Sequence, residues 1–306
     1  MSSLFAFPGQ GAQQAGMLHC LPEGCGQLLE EASDVLGQPA LTLDSQQALQ
    51  STRAVQLCLL LSGVAWARWL MQRSPAPDYV AGLSIGAYPA AVVAGALDFA
   101  DAVRLVALRG ELMQRAWPQG YGMTALSGLD LASVERLLNE AGGEVYVANL
   151  NSENQIVIAG SDVAMAAVAA RARSLGRGVA RRLAVSVPSH CRLLDGPAAE
   201  LASAFATVGL QRPRITYLSG SSARPIFDPQ RLRDDLAGNM ARVVDWRATL
   251  RNAFERGVRL HLEMPPGSVL SGLARPVFEQ GRVVAVEGTR WDTLDALLRQ
   301  EVAQTR

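Results

Sequence analysis

Asp78-Tyr79-Val80-Ala81-Gly82-Leu83-Ser84-Ile85-Gly86-Ala87 is the stretch on which the fold turns. Residues 78–81 read as a short strand, and the small residues from 87 to 94 continue as a helix. Between them stands G-x-S-x-G, the pattern of a nucleophile elbow. It sets a serine on a sharp strand-to-helix turn, with glycines where side chains would clash. The helix amino end beyond it offers backbone N–H groups and a positive dipole end where an oxyanion would form. A chain with 28 glycines produces the bare pattern by chance; the strand before and the helix after give it weight.

Outward from the elbow, residues 4–7 read as a buried strand and Pro8-Gly9-Gln10-Gly11 as the loop that follows. Helical periodicity covers 27–36, 55–71 and 100–116. The texture then changes: strand 123–126, helix 132–141, strands 145–150 and 155–159, helix 163–175, strand 179–183. That β-α-β-β-α-β order is ferredoxin-like. From residue 197 the α/β alternation returns, with helices to 208, over 231–241, 246–256 and 269–274, and a final helix. Strands are expected at 215–218, 258–263 and 282–286. The expected fold is α/β, a large α/β-hydrolase-like core with a parallel sheet and an inserted small ferredoxin-like α+β subdomain. The core takes residues 1–121 and 197–306, the small subdomain 122–196.

Composition narrows the function. With 306 residues, 49% hydrophobic and 18% charged, the chain can bury a large core. Net charge is +0 and no basic cluster is interleaved with aromatics, so no nucleic-acid partner is expected. All 28 basic residues are arginine, which removes Schiff-base and Walker-A lysine mechanisms. Cys20, Cys25, Cys58 and Cys191 form no metal-type pairs, and His19-Cys20 with Cys25 lacks a fourth ligand, so no metal is expected. The start reads as a strand rather than a leader. Residues 55–71, interrupted by Gln56 and Arg68, read as short for a membrane span, which makes the expected location cytoplasmic. Gly9-Gln-Gly11 suggests a dinucleotide fingerprint, but Gln14 occupies the third glycine position and no acidic residue ends a second strand.

A serine nucleophile needs a base, and only His19, His190 and His261 are available. His261 alternates with apolar neighbours as a structural strand residue, and His19 sits in a loop beside Cys20. His190 follows Ser186-Val-Pro-Ser189, where Pro188 forces an extended or turning backbone. A loop histidine at a junction of two domains suits a cleft; spacing alone leaves base and structural histidine open. Arg109 stands inside the apolar stripe Ala102, Leu105, Val106, Leu112, Met113, Ala116 of its helix. A buried guanidinium is costly unless paired, so it serves either an internal salt bridge or a substrate carboxylate.

Seven segments in order complete the pattern: Phe7-Pro-Gly-Gln-Gly-Ala-Gln13, Gly82-Leu-Ser-Ile-Gly-Ala-Tyr88, Arg104-Leu-Val-Ala-Leu-Arg-Gly110, Asn149-Leu-Asn-Ser152, Gln155-Ile-Val-Ile-Ala-Gly160, Ser186-Val-Pro-Ser-His-Cys191 and Pro266-Gly-Ser-Val-Leu270. In these the chain resembles the malonyl-CoA:acyl-carrier-protein transacylases over nearly its whole length. The resemblance implies malonyl transfer between a coenzyme A thioester and an acyl carrier protein, with no bound cofactor. Ser84 would be the acylated nucleophile, His190 its base, and Arg109 the clamp on the malonyl carboxylate. The N–H groups of Gln10 and Ile85 would form the oxyanion hole. In Val243-Val-Asp-Trp246, Asp245 stands where the family usually has Gln, so its carbonyl or carboxylate would orient His190. Leu83 where fatty-acid-synthesis members usually carry His, Met264-Pro-Pro-Gly267, and Tyr121-Gly-Met-Thr124 are similar to the transacylase (epsilon) subunit of bacterial malonate decarboxylase. That likeness implies a carrier with a phosphoribosyl-dephospho-CoA arm and association with the decarboxylase subunits. The alternatives are the transacylase of fatty-acid or polyketide synthesis and, from another class, a serine thioesterase or hydrolase.

Overall fold

The computed structural model describes residues 2–303 except 118 and 177; residues 1 and 304–306, at the ends of the expected core segments, lie outside it. The chain opens with β1 (Ser2–Phe7), α1 (Gly26–Leu36), α2 (Thr52–Met71), β2 (Tyr79–Gly82), α3 (Ala87–Val93) and α4 (Phe99–Ala116). Next come β3 (Tyr121–Ser127), α5 (Leu131–Ala141), β4 (Val145–Ser152), β5 (Gln155–Ser161), α6 (Asp162–Ser174) and β6 (Val179–Arg182). The last third holds α7 (Asp195–Ala204), β7 (Thr216–Leu218), β8 (Pro225–Ile226), α8 (Pro229–Gly238) and β9 (Val244–Asp245). It closes with α9 (Trp246–Glu255), β10 (Val258–Glu263), α10 (Val269–Ala274), β11 (Arg282–Ala285) and α11 (Trp291–Ala303).

Two sheets organise these elements. The larger runs β11-β10-β1-β2-β7-β8 and is parallel except for the last pair. Helices cover both its faces, so β1 is apolar on both sides. Phe5 and Phe7 pack into the core built on α2, α3 and α4, while Leu4 and Ala6 pack with Trp246 and Leu250 of α9. The smaller sheet runs β6-β3-β5-β4-β9, and its first four strands are antiparallel in the ferredoxin-like order. Helices α5 and α6 cover one face through Leu126, Val134, Leu137, Ile158 and Val168. The other face, with Met123, Ala125 and Val157, looks toward the large sheet's carboxyl ends. Topology thus places a cleft where parallel α/β sheets bind ligands.

Three local readings change. The smaller sheet gains β9, a parallel neighbour of β4 drawn from beyond residue 197. Like β8, it has two residues, too few to show a period. The helix expected over 231–241 starts at Pro229, capped by Asp228, and stops at Gly238, where the Arg242 guanidinium packs against the bare glycine. A tight turn, Asn239–Ala241, replaces its last residues. Finally, α2 is long and apolar enough to cross a membrane by length and composition, but 78% of its apolar 18-residue window is buried in the protein, the burial of a core helix. Its two interruptions have different fates: Gln56 points inward and Arg68 stacks over Phe99.

Candidate active site

Ser84 stands two residues past the end of β2 and holds φ at 57°, a left-handed conformation costly for any residue with a side chain. The turn is possible because its flanking glycines are bare. A Cβ on Gly82 would lie 1.9 Å from the Gly86 carbonyl carbon, and one on Gly86 would lie 2.2 Å from the Phe7 oxygen. The elbow is therefore wedged against the end of β1, and the loop after β1 brings Gln10 to the same cleft. Among the described residues, neither the Gln10 nor the Ile85 N–H donates to a protein acceptor.

His190 is 2% exposed and also left-handed, at φ 65°. Its own N–H donates to the Met240 carbonyl at 2.7 Å, which anchors the loop after Pro188. Ring Nδ1 faces two carbonyl oxygens, Asn239 at 2.9 Å and Arg242 at 3.2 Å. Carbonyls only accept, so Nδ1 carries the proton and Nε2 presents its lone pair to the Ser84 hydroxyl, 2.7 Å away. Burial, with the Arg109 charge adding to it, lowers the His190 pKa to about 4, the two carbonyls opposing. At neutral pH the imidazole is a free base.

Asp245 is not among the described residues that bond the His190 ring, which are Asn239, Arg242 and Ser84. Its carboxylate accepts from the Ala248 N–H at 2.8 Å and caps α9, and its own N–H donates to the Gly220 carbonyl. An aspartate at a helix start satisfies the nearest orphan N–H first. The turn that ends α8 early supplies the two carbonyls instead. Asp245→Ala is accordingly expected to lower stability by about 1 kcal/mol, read by urea titration, and to leave Ser84 reactivity toward an acylating reagent unchanged. Loss of that reactivity at unaltered stability would contradict this geometry.

Arg109 is 0% exposed. It donates from Nη1 to Gln56 Oε1 at 2.7 Å, and from Nη2 to Asn239 Oδ1 at 3.2 Å and Ser84 Oγ at 3.4 Å. The guanidinium carbon lies 5.9 Å from the centre of the Tyr88 ring. Every hydrogen-bond partner is neutral, Nε has none, and among the described residues no carboxylate forms an ion pair with it. Burial pulls its pKa down, yet an arginine stays charged. The internal salt bridge left open by the sequence is not what the fold contains. Its neutral partners are new: Gln56 was visible as a polar break in an apolar helix, whereas Asn239 gave no signal.

The other histidines lie elsewhere. His261 is buried in β10 with neither ring nitrogen bonded, and His19 is exposed and pairs with Asp44 at 3.1 Å. Among the described residues no three His, Cys, Asp or Glu side chains gather as a metal site.

Ser84 and His190 open into a cleft of about 570 Å³ between the elbow and the free face of the small sheet. Loop residues Gly9 and Gln10, Leu83, and Leu270 and Leu273 of α10 form one wall; Met123, Ala125, Asn149 and Val157 form the other. Such a cleft takes an extended chain whose reactive end reaches the serine. A base bonded to a serine hydroxyl, two N–H groups beside it and a buried cation without an ion-pair partner among the described residues are the parts that acyl transfer from a diacid half-thioester needs.

Residues 4–303 match the family model described as an acyl transferase domain. The malonyl CoA-acyl carrier protein transacylase of Escherichia coli (strain K12) is 37% identical over 285 residues, 90% of this chain and 92% of that one. The crystal structure of FabD from Acinetobacter baumannii matches with a TM-score of 0.91 at 37% identity, covering 98% of this chain and 99% of that one. A type II PKS acyl-carrier protein in complex with its malonyl-transacylase supplies a match with a TM-score of 0.91 and 36% identity, over 98% and 100% of the two chains.

Proposed function

Because the chain belongs to the malonyl-CoA:acyl-carrier-protein transacylase family of acyl transferases, we propose that it moves malonyl from coenzyme A to the thiol of an acyl carrier protein through malonyl-Ser84. The thioester enters as substrate, already activated, and the chemistry calls for no cofactor. His190 Nε2 takes the Ser84 proton as Oγ attacks the thioester carbonyl. The oxyanion is held by the Gln10 and Ile85 N–H groups, and the imidazolium returns its proton to the departing thiolate. The carrier thiol then repeats these steps on malonyl-Ser84 in reverse. Water must be kept from the ester between the two halves.

The single observation that carries this reading is Arg109: a fully buried cation with no anionic partner among the described residues, its Nη2 3.4 Å from the Ser84 oxygen. A planar guanidinium matches a carboxylate bidentately, and the malonyl carboxylate is the anion an acyl group on Ser84 would bring. A reaction with malonyl-CoA and pantetheinylated carrier tests it. Equal amounts of malonyl-carrier and free coenzyme A are expected. Free malonate with no malonyl-carrier would mark a thioesterase instead.

A second reading concerns the carrier. Leu83 lies against the nucleophile in the cleft, an apolar residue where fatty-acid-synthesis members usually carry histidine. That position and Met264-Pro-Pro-Gly267 are what speak for the carrier of malonate decarboxylase, with its phosphoribosyl-dephospho-CoA arm and the decarboxylase subunits. The relatives above, named for malonyl transfer to the acyl carrier protein and in one case for polyketide synthesis, support the fatty-acid or polyketide alternative better. Offering both carriers in one assay decides between them; exclusive use of the fatty-acid carrier would eliminate this second reading.

The low pKa of His190 sets the pH response. The free enzyme loses its base only as pH approaches about 4, where an exposed histidine would lose it near 6.5. The kcat/KM for malonylation is thus expected to stay level from neutral pH down through 6.5; an acid limb centred there would contradict the buried, cation-flanked base. Stability has the same sense. The unfolded chain takes this proton near 6.5 and the folded one only near 4, so stability is full above 6.5 and declines as pH falls toward 4.

A further inference from the structure

Arg109 is held unevenly, and the unevenness singles out Asn239. Nη1 makes the short bond, 2.7 Å to Gln56 Oε1, and the Gln56 amide is fixed by its Nε2, which donates to the Met113 sulfur at 3.3 Å. Nη2 is shared between Asn239 Oδ1 at 3.2 Å and Ser84 Oγ at 3.4 Å, both long for a guanidinium donor, and Nε has no partner. An acyl group on Ser84 begins at that serine oxygen, so its carboxylate reaches the guanidinium from the Nη2 side. Of the two amides on Arg109, Asn239 is the one it meets first.

Asn239 is built to give way. It is 1% exposed and serves the base only through its backbone, whose carbonyl accepts from His190 Nδ1. The turn that carries it is anchored without the carboxamide. Tyr88 Oη donates to the Leu236 carbonyl at 3.0 Å, and Asp235 accepts from Tyr217 at 3.0 Å and from Ser219 at 2.6 Å. The His190 N–H holds the Met240 carbonyl from the other side. The neutrality of the side chain then has a chemical consequence. A carboxamide satisfies a guanidinium N–H without cancelling the charge. An aspartate of the same shape would close a buried ion pair and leave a substrate carboxylate no cation to neutralise.

We propose that Asn239 is a specificity-determining residue: its Oδ1 holds the place of the substrate carboxylate on Arg109 in the free enzyme and yields it when malonyl is on Ser84. The neutral side chain at this position thereby sets the preference for an acyl group that ends in an anion over one that does not. The proposal rests on the acyl-transfer reading above.

Two substitutions with opposite expected outcomes test it. Acylation of Ser84 by malonyl-CoA and by acetyl-CoA is timed by intact mass for wild type, Asn239→Asp and Asn239→Ala, with thermal melts to verify folding. The readout is the ratio of the two kcat/KM values, malonyl over acetyl. Asn239→Asp is expected to lower that ratio at least about thirtyfold, the scale of a lost buried charge pair, because its own carboxylate occupies Arg109. Asn239→Ala is expected to keep the ratio within about threefold of wild type, because the carboxamide it lacks is displaced in any case. A side chain that merely props Arg109 predicts the reverse: aspartate, the stronger acceptor, keeps the ratio and alanine loses it. A kept ratio in the aspartate variant, or a lost one in the alanine variant, therefore overturns the proposal, and either variant decides alone if the other fails to fold. Equal losses on both thioesters in Asn239→Asp leave the ratio unchanged and count against it, because they would place the residue in the support of His190. Wild type acylated by neither thioester would instead overturn the acyl-transfer reading itself.

Discussion

Ser84→Ala is expected to take up no malonyl group from malonyl-CoA and to lower kcat by on the order of a million-fold, the scale for removing a serine nucleophile. The loss is this large because His190 then has no proton to take and no atom is left to hold the acyl group. Residual turnover through the N–H groups alone would leave no covalent species. Ser84→Gly sharpens the test. The left-handed φ of 57° costs a residue with a Cβ about 1–2 kcal/mol, while glycine adds about 0.5–1 kcal/mol of chain entropy to be lost on folding. The glycine variant should thus be equally inactive but no less stable than wild type in a denaturant titration. Retained malonylation in either variant would remove Ser84 from the mechanism; a large fall in stability of Ser84→Gly would refute the strain.

Arg109→Ala is the second large effect, and its signature is selectivity. With malonyl-CoA the loss should be about 2–5 kcal/mol in kcat/KM, thirtyfold to a few-thousand-fold, as for truncating one partner of a buried charge pair. With acetyl-CoA, which brings no carboxylate, the loss should be much smaller. The His190 base offers an independent readout. Arg109 adds its charge to burial in holding that pKa down, so its removal should shift the acid limb of kcat/KM upward from about 4. Stability will also drop somewhat, because Gln56 and Asn239 lose their donor inside the protein. Equal losses with the two acyl groups would place Arg109 in the scaffold rather than in substrate recognition.

The parts of the site that could be read from sequence are those where residue type is itself the constraint. The elbow is local: one strand, two glycines that must be bare, and a helix of small residues all lie between Tyr79 and Val93. Arg109 was conspicuous because a guanidinium in an apolar stripe needs a reason. The proline before it singled His190 out among three histidines, but the spacing left base and structural histidine open, and only the resemblance chose between them. What remained hidden is carried by backbone. Any residue can offer a carbonyl, so nothing in the letters marked Asn239 and Arg242 as the partners of His190. The search for an orienting group fell on Asp245, whose carboxylate is spent on the nearest helix cap. The two-residue strands β8 and β9 are products of tertiary pairing, below the length at which periodicity exists. At the level of architecture the opposite held, because long periodic segments specified both sheets and the insertion of one unit into the other.

The central claim is that Ser84 carries malonyl between two thiols. Its most direct measurement is the intact mass of the wild-type protein after malonyl-CoA alone, followed by peptide mapping and then by addition of a pantetheinylated carrier. One malonyl group on the Ser84 peptide, stable in buffer and cleared onto the carrier thiol, is the predicted result. Unmodified protein with free malonate accumulating before any carrier is added would contradict it.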